Sequence, residues 1–381
     1  MSDVAVVGLG IHPFGRHDGV TGLQMGAIAA RRALASAGIE WKDVGFAAGG
    51  SDASGNADTS VAMLGLTGVP FINVKNGCAT GGSALTTAHA MLASEAAEVA
   101  LVVGFDKHPR GAFNPLPADW GIGAWYGETG LMLTTQFFAM KIQRYMADHA
   151  ISASTLAKVA SKAFHNGSRN PNAWRRTPLS EDEILASRMV NHPLTQYMFC
   201  SPGEGAVALV LARGRRIKEL TRTPVYLRSV TFRTRRFGSF EVFSPSIPIE
   251  SAPSATTEAA AAAFEEAGIA PAEVDVAQVQ DTESGAEVMH LAETGLCEHG
   301  AQEELIQSGG TELDGRLPIN TDGGCLACGE PIGASGLRQV HEVVLQLRGE
   351  AGDRQVRKPC RVGFTQVYGA PGVSACTVLT V

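Results

Sequence analysis

The chain has 381 residues, of which 45% are hydrophobic and 18% are charged, a composition typical of soluble globular proteins. Its formal net charge of -7 argues against a partner that is nucleic acid or an anionic membrane surface, and its apolar runs are all shorter than a membrane-spanning helix needs. The seven cysteines are odd in number and scattered, which does not resemble a disulfide framework, so we expect a protein of the reducing cytoplasm.

The N-terminal segment, MSDVAVVGLGIHPF, predicts a first β-strand rather than a signal peptide, because it has neither a basic start nor a cleavage site. Residues 21–44 follow with an alanine-rich helical pattern that ends at Gly38, a short loop that ends at Val44, and then the apolar run GFAAGG. A helix that ends at glycine and leads into an apolar strand is typical of a layered α/β fold.

Residues 73–85, NVKNGCATGGSAL, place Cys78 between glycines where a second helical pattern begins. A helix start stabilises a thiolate through its dipole and its free N–H groups, and neighbouring glycines let the backbone approach a substrate closely. Taken alone, a cysteine in this position is either a nucleophile or a small buried side chain. The strand VALVVGF comes after the helical run.

The C-terminal third of the chain repeats the first pattern. Residues 256–274 form an alanine-rich helical pattern that ends at Gly268, and Val274 and an apolar strand follow at the spacing seen after Gly38.

The second pattern is repeated as well. GEPIGASGL (329–337) matches GCATGGSAL (77–85), and a helical run and a strand with the same Gly-Phe pair come next. Internal repetition of this kind indicates a duplicated unit. Equivalent helix starts meet near the pseudo-two-fold axis of such a unit, so we expect Cys78 to face Glu330.

The repeat predicts two βαβαβ-type halves. We place the N-terminal half at residues 1–115 and the C-terminal half at residues 246–381. Residues 116–245 contain an inserted, mostly helical loop domain and the end of the N-terminal half.

The other cysteines carry no comparable pattern. Cys325 and Cys328 form a CxxC pair, but a zinc site needs two more ligands at recognisable spacing and none follows, so we predict no metal site. Cys200 and Cys376 lie in apolar runs and are expected to be core residues.

Several motifs together resemble the thiolase superfamily. NGCATGGSAL resembles the thiolase nucleophile motif, and NTDGGCLACGEPIGASG resembles the NxxGG…GHPxGATG motif. FCSPGEGAVALVL (199–211) resembles the segment that closes the loop domain of SCP2-type (sterol-carrier-protein) thiolases. The resemblance covers essentially the whole chain, and it implies an α/β thiolase fold in which the two halves form a five-layered αβαβα sandwich. It also implies a homodimer.

The resemblance further implies chemistry on acyl-CoA. In thiolases the cysteine, here Cys78, attacks the ketone carbon of a β-ketoacyl-CoA, and cleavage of the carbon–carbon bond leaves an acyl-cysteine. Coenzyme A is then the co-substrate that releases the acyl group, and no cofactor is bound permanently.

The sequence departs from the family at its histidines. Gln280-Asp281-Thr282-Glu283 stands where His-Asp-Cys-Phe is expected, Glu330 replaces the histidine of GHP, and the C-terminal His-Asn pattern appears as residues 366–369, QVYG. An ionised carboxylate raises the pKa of a nearby cysteine by like-charge repulsion. Glu330 therefore needs burial to raise its own pKa before it serves as a base near neutral pH.

Three functions are compatible with this set of residues. The first is a thiolase with Glu330 as general base, in which Gln280 and Asn320 donate hydrogen bonds to the thioester carbonyl. The catalytic set also includes Gly372 and Tyr368.

The second is a thiolase-like retro-aldolase on a β-hydroxyacyl-CoA, in which Tyr368 or Tyr126 transfers the proton and no acyl-cysteine forms. The intact NGCATGG motif argues against it. The third is a non-catalytic acyl-CoA- or lipid-binding subunit, which the missing histidines favour.

Basic residues suggest where CoA binds. Arg233, Arg235 and Arg236 in TFRTRRFGSF are candidates for its phosphates, although a solvated charge run is equally compatible. His165 in AFHNGSRNP is a candidate for the pocket lining, with a surface or core histidine as the alternative.

Aromatic residues early in the loop domain suit either a pocket for a bulky or aromatic acyl group or a dimer core; they are Trp120, Trp125, Tyr126, Phe137 and Phe138. Some SCP2-type thiolases resemble obligate partners of a small zinc-ribbon/OB-fold (DUF35-type) protein, including those that cleave esters such as benzoylsuccinyl-CoA. A substrate and a partner of these kinds are expected by analogy with that family.

Overall fold

A computed structural model of the chain describes residues 4–239, 252–370 and 372–381. The predicted boundary between residues 245 and 246 lies outside these ranges. The strands are β1 (Val4–Gly15), β2 (Phe46–Gly50), β3 (Phe71–Asn73), β4 (Val99–Lys107), β5 (Met189–Asn191), β6 (Leu194–Thr195), β7 (Glu204–Arg213), β8 (Val225–Thr234), β9 (Val276–Val279), β10 (Val362–Gly369) and β11 (Val373–Thr380).

The helices alternate with these strands in each half and dominate the segment between β4 and β7. They are α1 (Gly22–Ala37), α2 (Val61–Leu64), α3 (Thr80–Ala93), α4 (Trp125–Glu128), α5 (Thr134–His149), α6 (Ala153–Ser168), α7 (Glu181–Ala186), α8 (Arg215–Leu220), α9 (Ala255–Ala267), α10 (Ser284–Glu293), α11 (Gln302–Gln307), α12 (Gly324–Cys328) and α13 (Ile332–Arg348). Within the described ranges, none of them has the length and apolarity to cross a membrane.

The main sheet has the strand order β3-β2-β4-β7-β1-β8-β11-β10-β9. The β2–β4 and β9–β10 pairs are parallel, as the repeat requires, and the flanking β4–β7 and β10–β11 pairs are antiparallel. β1 and β8 pair only at Ala5–Tyr226 and Val6–Val225, which joins the half-sheets edge to edge.

The helices complete five layers. α1 packs on the outer face of the N-terminal half-sheet, and α9 packs on the outer face of the C-terminal half-sheet. α3 and α13 pack against each other and against strands of both halves. The order is therefore αβαβα, as predicted.

The two outer helices begin and end in the same way. α1 follows Thr21, whose side chain accepts a hydrogen bond from the first turn, and ends at Gly38 with φ 68°. α9 follows Ser254, which caps its first turn likewise, and ends at Gly268 with φ 64°. A positive φ at the residue after a helix favours glycine, which explains why both copies of the repeat have glycine at this position.

The two inner helices cross where both carry glycine. A Cβ on Gly81 would lie 2.9 Å from the Leu337 nitrogen, and one on Gly336 would lie 2.9 Å from the Gly82 nitrogen. Larger side chains would force the helices apart. The glycines therefore let the starts of α3 and α13 meet in the middle layer.

The inserted segment packs on the C-terminal half. α5 and α6 both contact α10, and α6 also contacts α11 and α12. Its core merges with that of the C-terminal half, because Leu156 and Phe164 share a cluster with Val279 and Leu326.

Candidate active site

Cys78 and Glu330 occupy the same position relative to their helices. Cys78 directly precedes Ala79, the N-cap of α3, and Glu330 directly precedes Pro331, the N-cap of α13. The structure brings the two side chains together, since the Glu330 carboxylate interacts with the Cys78 thiol. The duplicated helix starts thus form one site.

The environment of Cys78 favours the neutral thiol. Burial, and then the nearby Glu330 carboxylate, raise the pKa of the Cys78 thiol well above its ordinary value. The sequence pattern predicted a thiolate stabilised by the start of α3. That prediction is wrong for the resting protein, because Cys78 lies outside the first turn and a carboxylate lies beside it.

Glu330 is fully buried and held by its backbone. Its N–H donates to the Ser201 carbonyl at 2.9 Å, and its own carbonyl accepts from the Gly203 N–H at 3.2 Å. The Gln280 Nε2 donates to Glu330 Oε2 at 3.2 Å, whereas Glu330 Oε1 has no hydrogen-bond partner among the described residues. One carboxylate oxygen is therefore left to accept a proton.

Gln280 is likewise buried and anchored. Its N–H donates to the Gln366 Oε1 at 3.0 Å, and its side-chain amide faces Glu330. Its Oε1 is buried and lacks a partner within the described part of the chain. Gln280 lies in the site, but the donor predicted for the thioester carbonyl is directed at Glu330 here.

The structure places Asn320 and Gly372 in hydrogen bonds within the protein. Asn320 has φ 53°, and its amide accepts from the Val279 N–H at 3.0 Å and donates to Glu287 Oε2 at 2.8 Å. Both polar atoms of its side-chain amide are therefore bonded to other protein groups and not directed at a substrate. The Gly372 N–H closes the β10–β11 turn by donating to the Gly369 carbonyl at 3.0 Å.

Tyr368 lies on the C-terminal wall of the site. The next residue, Gly369, is so close to the turn before α3 that a Cβ there would lie 2.8 Å from the Ala79 nitrogen. The Tyr368 ring is buried between Lys141, whose Nζ lies 4.9 Å from the ring centroid, and His290, whose ring centroid lies at 5.8 Å.

Cys200 and Glu283 lie near the site, which the sequence did not predict. Cys200, predicted to be a core residue, is close enough to Glu330 that this carboxylate, after burial, raises the pKa of its thiol. Glu283 caps α10 by accepting from the Gly285 N–H, and its other carboxylate oxygen is buried without a partner among the described residues. Glu283 is the last residue of the altered motif 280–283, which was the available signal.

The titration of Glu283 predicts a pH-dependent stability. Burial raises its pKa from 4.5 to about 8 in the folded protein, despite opposition from the Gly285 N–H and Lys141. The unfolded chain releases this proton first, so the wild type loses stability as the pH rises from about 4.5 to 8. Glu283→Gln does not titrate, and its free energy of unfolding relative to wild type should therefore increase over that window. Urea denaturation at a series of pH values measures this difference; a constant difference would contradict the prediction.

The Cys78–Glu330 contact predicts a change in thiol reactivity. Glu330→Gln removes the like charge, so it should lower the pKa of Cys78 and accelerate alkylation by iodoacetamide at any fixed pH below that pKa. Peptide mass spectrometry after timed alkylation gives the rate at Cys78, and the exposed-site variant Glu350→Gln is the control. An unchanged rate in Glu330→Gln would mean that the carboxylate does not act on the thiol.

The candidate CoA residues fall in two places. Arg233, Arg235 and Arg236 are exposed at the end of β8, and Arg233 pairs with Ser374 of β11, beside the β10–β11 turn that contacts the Cys78 loop. Arg236 forms an ion pair with Glu258 at 2.7 Å. The strand register therefore places Arg233 beside the β10–β11 turn, and the ion pair holds Arg236 against α9.

His165 is placed elsewhere. It is exposed on α6 and lines a cavity of about 300 Å³ together with Lys158 and Arg169, and neither Cys78 nor Glu330 lines that cavity. Its Nδ1 lies 2.9 Å from the Ser161 carbonyl.

The aromatic cluster borders the site. Tyr126 and Phe137 are buried with Met132, and Trp120, Phe138 and Ala370 pack against them. The Ala370 carbonyl would lie 3.0 Å from a Cβ on Gly77, next to Cys78. Trp125 is half exposed and packs on Tyr126.

Cys325 and Cys328 are buried on α12. Throughout the ranges that the structure covers, no three His, Cys, Asp or Glu side chains are grouped to hold a metal ion.

The chain resembles known proteins along essentially its whole length. A family model described as "Thiolase C-terminal domain-like" matches residues 249–380. The chain is 31% identical to an acetyl-CoA acetyltransferase of Methanothermobacter thermautotrophicus, over 98% of this chain and 98% of that protein. The chain belongs to the thiolase superfamily.

Other members of the thiolase superfamily match comparably. Sterol carrier protein 2 of Oryctolagus cuniculus is 31% identical over 98% of this chain and 71% of that protein. Benzoylsuccinyl-CoA thiolase subunit BbsB of Thauera aromatica is 29% identical over 96% of this chain and 94% of that protein. These matches confirm the predicted SCP2-type resemblance and the predicted enzyme class, an acyltransferase of the thiolase superfamily.

Solved structures confirm the predicted thiolase fold. An Ltp2-ChsH2(DUF35) aldolase has a TM-score of 0.88 at 22% identity, over 100% of this chain and 98% of that one. Human mitochondrial 3-ketoacyl-CoA thiolase in complex with CoA has a TM-score of 0.73 at 15% identity, over 100% and 98% of the two chains.

Proposed function

We propose that the protein transfers an acyl group from a β-ketoacyl-CoA to coenzyme A through an acyl-cysteine on Cys78, with Glu330 as the general base. The observation that carries this proposal is the placement of the Cys78 thiol beside the buried Glu330 carboxylate, at the equivalent starts of α3 and α13. A nucleophile next to a base is the arrangement that covalent catalysis requires.

Charge balance supports Glu330 in this role. A thiolate beside an ionised carboxylate is disfavoured, and this repulsion adds to burial in raising the pKa of Cys78. If the proton moves from the thiol to Glu330 as sulfur attacks the ketone carbon, the negative charge passes to the ketone oxygen and the repulsion disappears. Cleavage of the carbon–carbon bond then re-forms the carbonyl as the acyl-cysteine and leaves the charge on the departing enolate. Glu330 gives its proton to water when the first product leaves; the same carboxylate takes the proton of the CoA thiol when CoA attacks the acyl-cysteine and passes it to the departing Cys78 sulfur.

A bulky or aromatic acyl group is the proposed substrate class, as in a benzoylsuccinyl-CoA-like ester. The cluster around Tyr126 and Phe137 offers an apolar surface that reaches Ala370 beside the Cys78 loop. The 29% identity to a benzoylsuccinyl-CoA thiolase subunit agrees with this choice. For the phosphates of CoA we propose Arg233, Arg235 and Arg236.

Intact-protein mass spectrometry tests the proposal. The wild type is mixed with acetoacetyl-CoA and with aromatic β-ketoacyl-CoA esters, and an added acyl mass is expected that CoA removes and that Cys78→Ala abolishes. Cys376→Ala, at a buried cysteine of β11, is the control and should keep the adduct. Carbon–carbon cleavage that persists in Cys78→Ala without any adduct would refute the acyl-cysteine.

A retro-aldol reaction on a β-hydroxyacyl-CoA is the second candidate. Glu330 Oε1, Gln280 Oε1 and Glu283 Oε1 are buried acceptors without partners among the described residues. Acceptors suit a substrate hydroxyl, which donates, better than a ketone, which only accepts. In this reaction Glu330 takes the hydroxyl proton, Cys78 stays a thiol, and Tyr368 returns a proton to the α-carbon.

The assembly is also a proposal. β3 forms an edge of the described sheet, and Ile72 on it and Leu66 before it are 44% and 86% exposed. Uncovered edge strands and apolar side chains favour pairing with a second copy, as in a homodimer. A DUF35-type partner is proposed by analogy with the Ltp2-ChsH2(DUF35) assembly, and the cytoplasm remains the predicted compartment.

A further inference from the structure

Lys141 carries a positive charge from the inserted segment to the wall of the active site. It lies on α5, and its Nζ is 4.9 Å from the centroid of the Tyr368 ring, within the range of a cation–π contact. The helix is fixed there by close packing, since a Cβ on Gly285 of α10 would lie 2.2 Å from the Cγ1 of Ile142. The lysine backbone is therefore held in place beside Tyr368.

The charged and titratable groups that face Tyr368 come from three elements. Lys141 on α5 and His290 on α10 contact the ring, Glu283 at the N-cap of α10 and Glu293 on α10 interact with Lys141, and Cys78 precedes α3, whose N-cap Ala79 lies close to Gly369. Burial opposes ionisation of Glu293, but Lys141 and His290 outweigh it and lower the pKa of this carboxyl to about 2. His290 lies between Glu293 and the tyrosine ring, with its Nδ1 2.7 Å from the Glu293 carboxylate. Lys141 is thus the cation that touches the ring itself.

A second tyrosine shows what burial does to a phenol in this region. Tyr145 lies on α5 one turn after Lys141, and its hydroxyl contacts the His299 Nδ1 at 2.7 Å. Burial raises the pKa of Tyr145 well above its ordinary value, and the Glu293 carboxylate adds to this rise, despite a hydrogen bond from Gln302. Tyr368 is buried more deeply, at 5% exposure. An unaided phenol at that depth is a poor proton donor.

We propose that Lys141 is a positioning residue that allows Tyr368 to give up its proton during the carbon–carbon bond step. The inference rests on the proposed function, in either of its two forms, because both leave the enolate of a CoA thioester. The α-carbon of that enolate gains a C–H bond as the Tyr368 O–H bond breaks, and the negative charge passes from the enolate to the phenolate. Lys141 faces the phenolate at that moment, and water returns the proton after product release.

Lys141→Met and Lys141→Arg test this role, with Lys158→Met on the neighbouring α6 as the matched control. Ionisation of Tyr368 is followed by the ultraviolet absorbance of phenolate, as the difference between each variant and the same variant carrying Tyr368→Phe. We expect the midpoint in Lys141→Met to rise by about one pH unit or more, which corresponds to a tenfold or greater loss of proton-donor strength. Lys141→Arg and Lys158→Met should keep the wild-type midpoint.

Turnover provides the second readout. In Lys141→Met, kcat should fall, and the midpoint of its pH profile should shift by the same amount as the midpoint of Tyr368 ionisation. Lys141→Arg should restore both. Equal midpoints in the wild type and Lys141→Met would overturn the inference. The titration needs no substrate, so a failed search for an acyl-cysteine leaves it untouched. A shifted midpoint together with full turnover in Tyr368→Phe would instead refute the role of Tyr368, and with it the inference.

Discussion

Replacing Glu330 with glutamine is expected to lower turnover by about 10²–10⁴-fold, the range that a general base commonly contributes. Glutamine fills the same space and still receives the Gln280 hydrogen bond, but it cannot accept a proton from Cys78 or from CoA. The measurement is steady-state release of acyl-CoA product, with folding checked by circular dichroism. Wild-type turnover in Glu330→Gln would eliminate this residue as the base in both proposed reactions.

The same variant gives two responses of opposite sign. Turnover falls because the base is lost, while alkylation of Cys78 rises because the like charge is lost. A variant that is merely misfolded would lose turnover and expose every buried thiol, including Cys325 and Cys328. Selective gain of reactivity at Cys78 therefore separates loss of the base from loss of structure.

The pairing of Cys78 with Glu330 was predictable because it follows from backbone features. Gly38 and Gly268 end equivalent helices in the left-handed region, and Gly81 lies at the helix crossing. The backbone favours glycine at these positions whatever the surrounding side chains are, so the duplication can be detected from the sequence alone.

The rest of the site depends on side-chain direction, which spacing does not encode. Asn320 stands in a motif that resembles a catalytic one, yet its amide turns to Val279 and Glu287. Lys141 belongs to an inserted helix with no repeat partner, and only tertiary packing brings it to Tyr368. The sequence therefore predicted that Cys78 and Glu330 lie together, but not how the Asn320 amide is held or that Lys141 reaches Tyr368.

Lys162→Met is expected to cost roughly 3–5 kcal/mol of folding stability, because it leaves the buried Glu287 carboxylate without its ion-pair partner. Lys162 on α6 forms an ion pair with Glu287 on α10, and both side chains are almost completely buried, at 4% and 0% exposure. Glu287 also accepts from Asn320, whose Oδ1 accepts from the N–H of Val279, next to Gln280. The pair thus ties the inserted segment to the wall that holds Glu330.

Urea denaturation measures the loss of folding stability, and two further variants show whether the unpaired charge causes it. Lys158→Met on the same helix should cost less than about 1 kcal/mol, because its contacts with Glu312 at 3.9 Å and the Gln307 carbonyl are partly exposed. Lys162→Met combined with Glu287→Gln should recover much of the stability, since glutamine is neutral and still accepts from Asn320. If the double variant were as unstable as Lys162→Met alone, lost packing of the lysine stem and not the stranded charge would be the cause. Methionine retains most of that apolar stem, so the charge of Glu287 is expected to account for the larger share of the loss.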